Sequence, residues 1–147
     1  TEPVDLFSNH RVVIRGVGVP HGDVPTVGYR VDVGDVSIGF SSDQLATSRA
    51  FVELVEGVNV LVVHFGASEN AVGLTSVLHA LPSAWGRMAS TANVKSVLLS
   101  HLSQSEPSDP RYQSHSGSDR ESSIASFREQ YTGSVTVADD LMCIPIF

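Results

Sequence analysis

The chain has 147 residues, of which 41% are hydrophobic and 17% are charged, and its formal net charge is −7 at pH 7. This composition fits one folded unit, or part of a larger one, and excludes a disordered or collagen-like chain. The negative charge disfavours a nucleic-acid partner, because phosphate backbones are repelled. The single cysteine excludes an internal disulfide, and no apolar run reaches the roughly 18 residues needed to cross a membrane.

Alternating and valine-rich runs predict that the first third of the chain is β-structure. After an irregular lead-in over TEPVDLFSNH, strands are expected over 11–19, 26–33 and 36–40, and a short turn separates the last two. Residues 26–40 are therefore predicted to form a β-hairpin.

Helices and buried strands are predicted to alternate in the middle of the chain. Apolar spacing and a closing glycine predict a helix over 44–57, and the continuous apolar run VNVLVVHF predicts a strand covered on both faces. Further helices are expected over 69–80 and 82–92, and a buried strand over 95–100.

The last third begins with a polar stretch. Residues 103–123 are rich in Ser, Asp and Pro and predict a long surface loop. Ser118 and Glu121 resemble a capping box, and they predict a helix that has Ile124, Phe127 and Tyr131 on one face and ends at Gly133. Short strands are expected over 135–137 and 141–146, the second with Cys143 buried in it. This order of elements predicts an α/β fold with a sheet covered by helices.

Three possible metal ligands lie at or near predicted strand ends. His21 lies in a loop after a strand, Asp43 lies where a strand gives way to a helix, and His101 directly follows the strand KSVLLS. Strand ends can direct side chains at a common point, and imidazole and carboxylate groups suit zinc. Each residue alone is more often an ordinary surface or capping group, because an ion site needs several converging ligands.

Four segments, in order from residue 11 to the C-terminus, resemble the metallo-β-lactamase superfamily, in its ribonuclease Z-like and arylsulfatase-like branch. They are VPHGDVPTVGYRVDVGDVSIGFSSDQ, GVNVLVVHFGAS, ANVKSVLLSHLS and TGSVTVADDLMCIPI. The resemblance implies that His21 completes a first metal site, that Asp43 bridges two metals and that His101 binds the second. It also implies that His79, in VLHALPSAWGRMA, assists catalysis.

The sequence departs from the family pattern at three points. FSSDQ stands in place of Phe-Ser-Gly-Asp-Thr, so Ser42 replaces glycine and Gln44 replaces threonine. Phe65 stands where the branch has a glutamate, which removes a possible acceptor behind the ligands. The motif His-x-His-x-Asp-His, which supplies most ligands in the family, is absent from the sequence.

The resemblance implies an α/β fold that is half of an αββα sandwich, with a mixed sheet covered by helices over residues 1–147. Alone, such a half would expose a large apolar surface. Because the sequence begins at Thr1 rather than Met, we expect an N-terminal half, as a separate or cleaved chain, that carries His-x-His-x-Asp-His. A truncated piece of a single-chain hydrolase would lead to the same chemical predictions.

The function implied by the resemblance is that of a metal-dependent hydrolase, in which two zinc ions activate a hydroxide that cleaves a small ester, sulfate ester or phosphodiester. The expected partners are the N-terminal half and a small-molecule substrate, without a membrane or nucleic acid. The alternative is a binding or structural module that has kept the fold and lost its metals. The arylsulfatase-like resemblance slightly favours a periplasmic or secreted location.

The remaining histidines are given no catalytic role. His64 is interpreted as a structural residue, hydrogen-bonded at the end of a buried strand, and His10 and His115 lie in polar segments. Trp85 and Met88 are expected to pack between helix and sheet.

Overall fold

A computed structural model describes residues 2–102 and 117–146 of the chain. Thr1, His115 and most of the predicted polar loop lie outside the described residues. None of the helices in the described part of the chain is long and apolar enough to cross a membrane.

In the described part of the chain, seven strands form one mixed sheet in the order of the sequence. The first four strands pair antiparallel, and the fourth to the seventh pair parallel. They are β1 (Val4–Ser8), β2 (Val12–Val19), β3 (Thr26–Val33), β4 (Val36–Phe40), β5 (Val60–His64), β6 (Ser96–Ser100) and β7 (Ser134–Val137). The hairpin predicted over residues 26–40 is confirmed, and so is the α/β fold with a mixed sheet.

Four described helices connect or follow the parallel strands: α1 (Arg49–Leu54), α2 (Leu74–Leu78), α3 (Pro82–Thr91) and α4 (Gly117–Gln130). Ser48 caps α1, because its side chain accepts a hydrogen bond from the Phe51 backbone N–H. Pro82 occupies the first turn of α3, where its missing N–H has no helical partner to lose.

The hydrophobic core lies between the helices and one face of the sheet. Its largest fully buried side chains include Trp85 of α3, Phe127 of α4 and Phe51 of α1. Phe51 lies directly over Gly28 of β3, where an added Cβ would be only 2.5 Å from the ring. A glycine at this position therefore allows α1 to pack closely against the sheet. The packing roles predicted for Trp85 and Met88 are confirmed.

The opposite face of the sheet is apolar and incompletely covered. Pairing between neighbouring strands brings valine, isoleucine and aromatic side chains together there, including Tyr29, Val33 and Phe40. These three side chains are 37%, 48% and 37% exposed. Exposed apolar side chains grouped on one face are typical of a surface that takes part in an interaction.

The predicted lead-in is wrong, because residues 4–8 form β1. All five residues of this strand are exposed, and β1 pairs antiparallel with β2 alone at the edge of the sheet. The strand conformation of β1 depends on its hydrogen bonds to β2. Local sequence patterns do not reveal such pairing.

Two helices are shorter than predicted. The segment 44–57 contains only α1, because Ala46 has a positive φ of 55° and Ser48 is extended as the N-cap. The segment 69–80 contains only α2, which follows Gly73 at a φ of 65°. His79 is extended, with φ −119° and ψ 139°, and lies beyond this helix.

Two further predictions in the last third are wrong. Residues 117–123 of the predicted loop belong to α4, whose buried Phe127 packs in the core. Residues 141–146 form no strand, and Cys143 is exposed rather than buried. Among the described residues, strand β7 pairs with β6 alone, and residues 138–146 are not part of the sheet.

Candidate metal centre

The candidate site lies at the edge of the sheet where four strands end. Because β2, β4, β5 and β6 run in the same direction, their carboxyl ends meet at this edge. Asp43 follows β4, His64 is the last residue of β5, and His101 comes directly after β6. The carboxyl ends of parallel strands are the usual location of ligand sites in open α/β sheets.

The Asp43 carboxylate is the centre of this group. Its Oδ1 lies 3.0 Å from His64 Nδ1, 3.5 Å from His79 Nδ1 and 3.6 Å from His101 Nε2. Ligand atoms of Asp43, His64 and His101 all lie within 4.8 Å of one another. The Asp43 side chain is 27% exposed, so solvent and ions reach it.

Hydrogen bonds hold the turn that carries Asp43. The Ser41 hydroxyl accepts a hydrogen bond from the His64 backbone N–H, and the Ser42 hydroxyl donates to the Val27 carbonyl. Ser42 has a φ of 53°, an uncommon conformation for a residue with a side chain. The departure from glycine at position 42 is therefore accommodated by a new hydrogen bond to β3.

Gln44 links this turn to the segment that carries His79. Its side chain is fully buried and donates from Nε2 to the Ser41 carbonyl, while its own backbone carbonyl accepts from the Ala80 N–H. The residue that replaces threonine therefore fixes the position of Asp43 relative to His79.

His21 lies beside His79, with the ring centroids 5.2 Å apart. Its Nδ1 is 2.9 Å from the Leu78 carbonyl. Because a carbonyl only accepts, Nδ1 carries the proton and the lone pair of a neutral ring is on Nε2. Histidine ligands of metals commonly have this arrangement, in which one ring nitrogen is fixed by a backbone carbonyl.

Burial and neighbouring charges shift two pKa values in the site. Burial alone would raise the pKa of Asp43, but the hydrogen bond from His64 and the charges of His101 and His79 outweigh it and lower that pKa. Burial lowers the pKa of His79, and His21 adds to this effect, against the opposing influence of Asp43. Asp43 is thus a carboxylate and His79 a neutral imidazole at neutral pH.

Three of the predicted site residues lie together. His79 and His101 both lie next to the Oδ1 atom of Asp43. The fourth predicted residue, His21, adjoins this group because its ring contacts that of His79. Whether they bind metal or act in catalysis stays a prediction.

His64 belongs to this cluster, although the sequence analysis gave it only a structural role. It does end a buried strand with a hydrogen bond, as expected, but its partner is Asp43 and its ring stacks on His101 at 4.9 Å. A histidine that ends the strand between those preceding Asp43 and His101 is the signal that could have identified it.

Phe65 belongs to the core and not to the site. Its side chain is 2% exposed and its ring makes an edge contact with Phe127, with centroids 6.2 Å apart. The loss of an acceptor at this position stays a prediction. His79 Nδ1 is buried and has no hydrogen-bond partner among the described residues.

Among known proteins, the chain is similar to solved structures, and this similarity is in the fold. No family model matches the sequence, and no curated protein does. The metallo-β-lactamase fold protein YhfI from Bacillus subtilis has a TM-score of 0.72 and 19% identity, and the match covers 94% of this chain and 50% of that one.

Two further structures are similar. Human tRNase Z, short form, has a TM-score of 0.72 and 20% identity, with 99% of this chain and 47% of that one covered. A diphosphatase from the PhnP family has a TM-score of 0.59 and 17% identity, with 91% and 43% covered. The chain thus spans about half the length of these proteins. The similarity covers 91–99% of this chain, which therefore has the fold of about half of a metallo-β-lactamase fold protein.

Proposed function

We propose that the chain is the C-terminal half of a metal-dependent hydrolase. The observation that carries this proposal is the Asp43 carboxylate, whose Oδ1 lies within 3.6 Å of nitrogen atoms from three histidines. Imidazole and carboxylate donors at the ends of rigid strands are the ligand set that zinc accepts. The fold shared with proteins named as a tRNase and a diphosphatase supports the same reaction class.

Zinc fits the residues that are present, but two ions need more donors than this chain offers. Asp43 would bridge the ions, with His21 and His101 as further ligands. The remaining donors are proposed to come from an N-terminal half that carries His-x-His-x-Asp-His. The apolar sheet face around Tyr29 and Phe40 supports such a partner, because its exposed side chains require a cover.

Zinc supplies Lewis acidity and lowers the pKa of water to about 7, which provides a nucleophile at neutral pH. The chain's own residues would bind and orient the ions and stabilise the developing charge. His79 is a neutral imidazole, so its remaining N–H can donate a hydrogen bond to an oxygen that becomes negative in the transition state. We propose this catalytic role for His79, with Gln44 as the residue that positions it.

The proposed substrate is a small ester, sulfate ester or phosphodiester. The net charge of −7 disfavours a long nucleic acid. Similarity to a tRNase and a diphosphatase makes phosphate esters the class to test first.

The alternative is a module that has kept the fold and lost its metals. Phe65 favours this alternative, because a core aromatic occupies the place of a carboxylate. The grouping of Asp43 with the histidines favours the hydrolase, because a site without metal has no chemical reason to keep these residues together.

Zinc analysis of the chain with its N-terminal half tests the proposal. After zinc reconstitution and desalting, we expect about two zinc equivalents and hydrolysis of a phosphodiester such as bis(p-nitrophenyl) phosphate. His101→Ala should reduce bound zinc and abolish hydrolysis, whereas the matched variant His10→Ala, at an exposed position outside the cluster, should change neither. The absence of bound zinc after reconstitution would refute the hydrolase and support the module.

A further inference from the structure

We propose that His64 is a metal ligand and that this chain alone binds one divalent cation through Asp43, His64 and His101. The inference rests on the proposed function, since it concerns the same site. It adds a ligand that the family resemblance does not supply, and it removes the need for the N-terminal half in binding a first ion.

The distances from Asp43 to the two histidines are close to those between ligands of a tetrahedral ion, and all three ligand atoms lie within 4.8 Å of one another. Zinc lies about 2.1 Å from nitrogen and oxygen ligands, so two ligand atoms on one tetrahedral ion are roughly 3.4 Å apart. Asp43 Oδ1 lies 3.0 Å from His64 Nδ1 and 3.6 Å from His101 Nε2, on either side of that value. Small rotations of the side chains would bring all three atoms onto one ion.

The fold prepares this arrangement before an ion binds. His64 pairs with Ser100 in the parallel ladder of β5 and β6. The backbone therefore fixes the position of His64 relative to His101, which directly follows Ser100. The two rings stack with an interplanar angle of 21°. Side chains held by rigid strands lose little freedom when they bind, which favours a site that exists without a partner.

A hydrogen bond alone accounts for only part of this geometry. The contact between Asp43 and His64 is a hydrogen bond, but those to His79 and His101, at 3.5 and 3.6 Å, are too long to be strong ones. A cation is the group that would attract the carboxylate and the imidazole lone pairs to one point. Asp43, His64 and His101 are 27%, 32% and 51% exposed, so an ion can enter and a fourth position stays open to water.

Cobalt(II) titration of the 147-residue chain tests the inference, because the visible absorption of Co²⁺ reports on its ligands without any activity. We expect one equivalent to bind with the intense spectrum of a four-coordinate ion. His64→Ala should weaken binding by more than about 100-fold, beyond the roughly 10- to 100-fold effect of losing a partner behind the ligands. His101→Ala should have a similar effect, and His10→Ala none.

A second variant separates a ligand from a residue that only positions Asp43. His64→Asn keeps an N–H near the position of Nδ1 but is a poor ligand for the ion. We expect it to match the loss seen in His64→Ala, with the circular dichroism of the metal-free chain unchanged. Recovery of the wild-type affinity and spectrum in His64→Asn would overturn the inference.

The same titration with the N-terminal half present distinguishes failure of this inference from failure of the proposed function. Binding of Co²⁺ only in the presence of that half would overturn the inference and leave the hydrolase intact. No binding in either case would overturn both.

Discussion

Truncation of Phe127 to alanine is expected to remove a large part of the stability of the chain. The Phe127 ring is fully buried, and its centroid lies 6.2 Å from that of Phe65 and 5.7 Å from that of Tyr131, both in edge contacts. Removal of a buried phenylalanine side chain costs about 3–5 kcal/mol, through lost burial and the cavity that remains. The free energy of unfolding of a domain is about 5–15 kcal/mol in total, so the variant should lose about a fifth of it or more.

Urea denaturation followed by circular dichroism measures this loss. Phe7→Ala is the matched control, because the same atoms are removed from a side chain that is 49% exposed, and it should cost about 1 kcal/mol or less. A loss below about 1 kcal/mol for Phe127→Ala, or equal losses in the two variants, would refute the burial of α4 in the hydrophobic core.

Three other predictions concern the backbone and titrating groups. Gly28→Ala should destabilise the chain by about 1–3 kcal/mol in urea denaturation, because the Phe51 ring above it must move. The control Gly18→Ala should be nearly neutral, because the space around Gly18 is open. Equal effects of the two substitutions would contradict the packing of α1 against the sheet. Burial raises the pKa of Tyr131 above 10.0, so the tyrosine of the unfolded chain loses its proton first. The free energy of unfolding should therefore fall as pH rises above about 10. Tyr131→Phe should remove this pH dependence and cost about 1 kcal/mol of stability, because the hydrogen bond to the Val94 carbonyl is lost. The lowered pKa of Asp43 stabilises the metal-free fold above pH 3.8, and this contribution should disappear as pH falls through the folded value; a metal-free Asp43→Asn variant with the same acid profile as wild type would contradict it.

The parts of the fold that could be predicted are those that local patterns determine. Residues 26–33 and 36–40 alternate apolar and polar residues, and their strand bounds agree with the structure. The apolar runs that contain β5 and β6 are continuous because helices and neighbouring strands surround them. The edge strand β1 has no such pattern, since its order depends on pairing with β2 across the chain.

The site could be predicted in part, because the ends of strands are visible in the sequence. Asp43 and His101 follow predicted strands, and the parallel sheet brings Asp43 Oδ1 to 3.6 Å from His101 Nε2. The strand register was not visible, although it decides that His64 lies level with Ser100 and so beside His101. The position of His79 also could not be derived from helical spacing, because α2 ends one residue earlier and the backbone hydrogen bond from Ala80 to Gln44 holds the segment at the site.

Anomalous diffraction from crystals of the zinc-loaded chain, recorded at the zinc absorption edge, tests most directly whether Asp43 and the surrounding histidines form a metal site. We expect an anomalous peak about 2.1 Å from Asp43 Oδ1, between this oxygen and the rings of His64 and His101. Zinc peaks only elsewhere on the surface, or none at all in crystals grown with excess zinc, would contradict it.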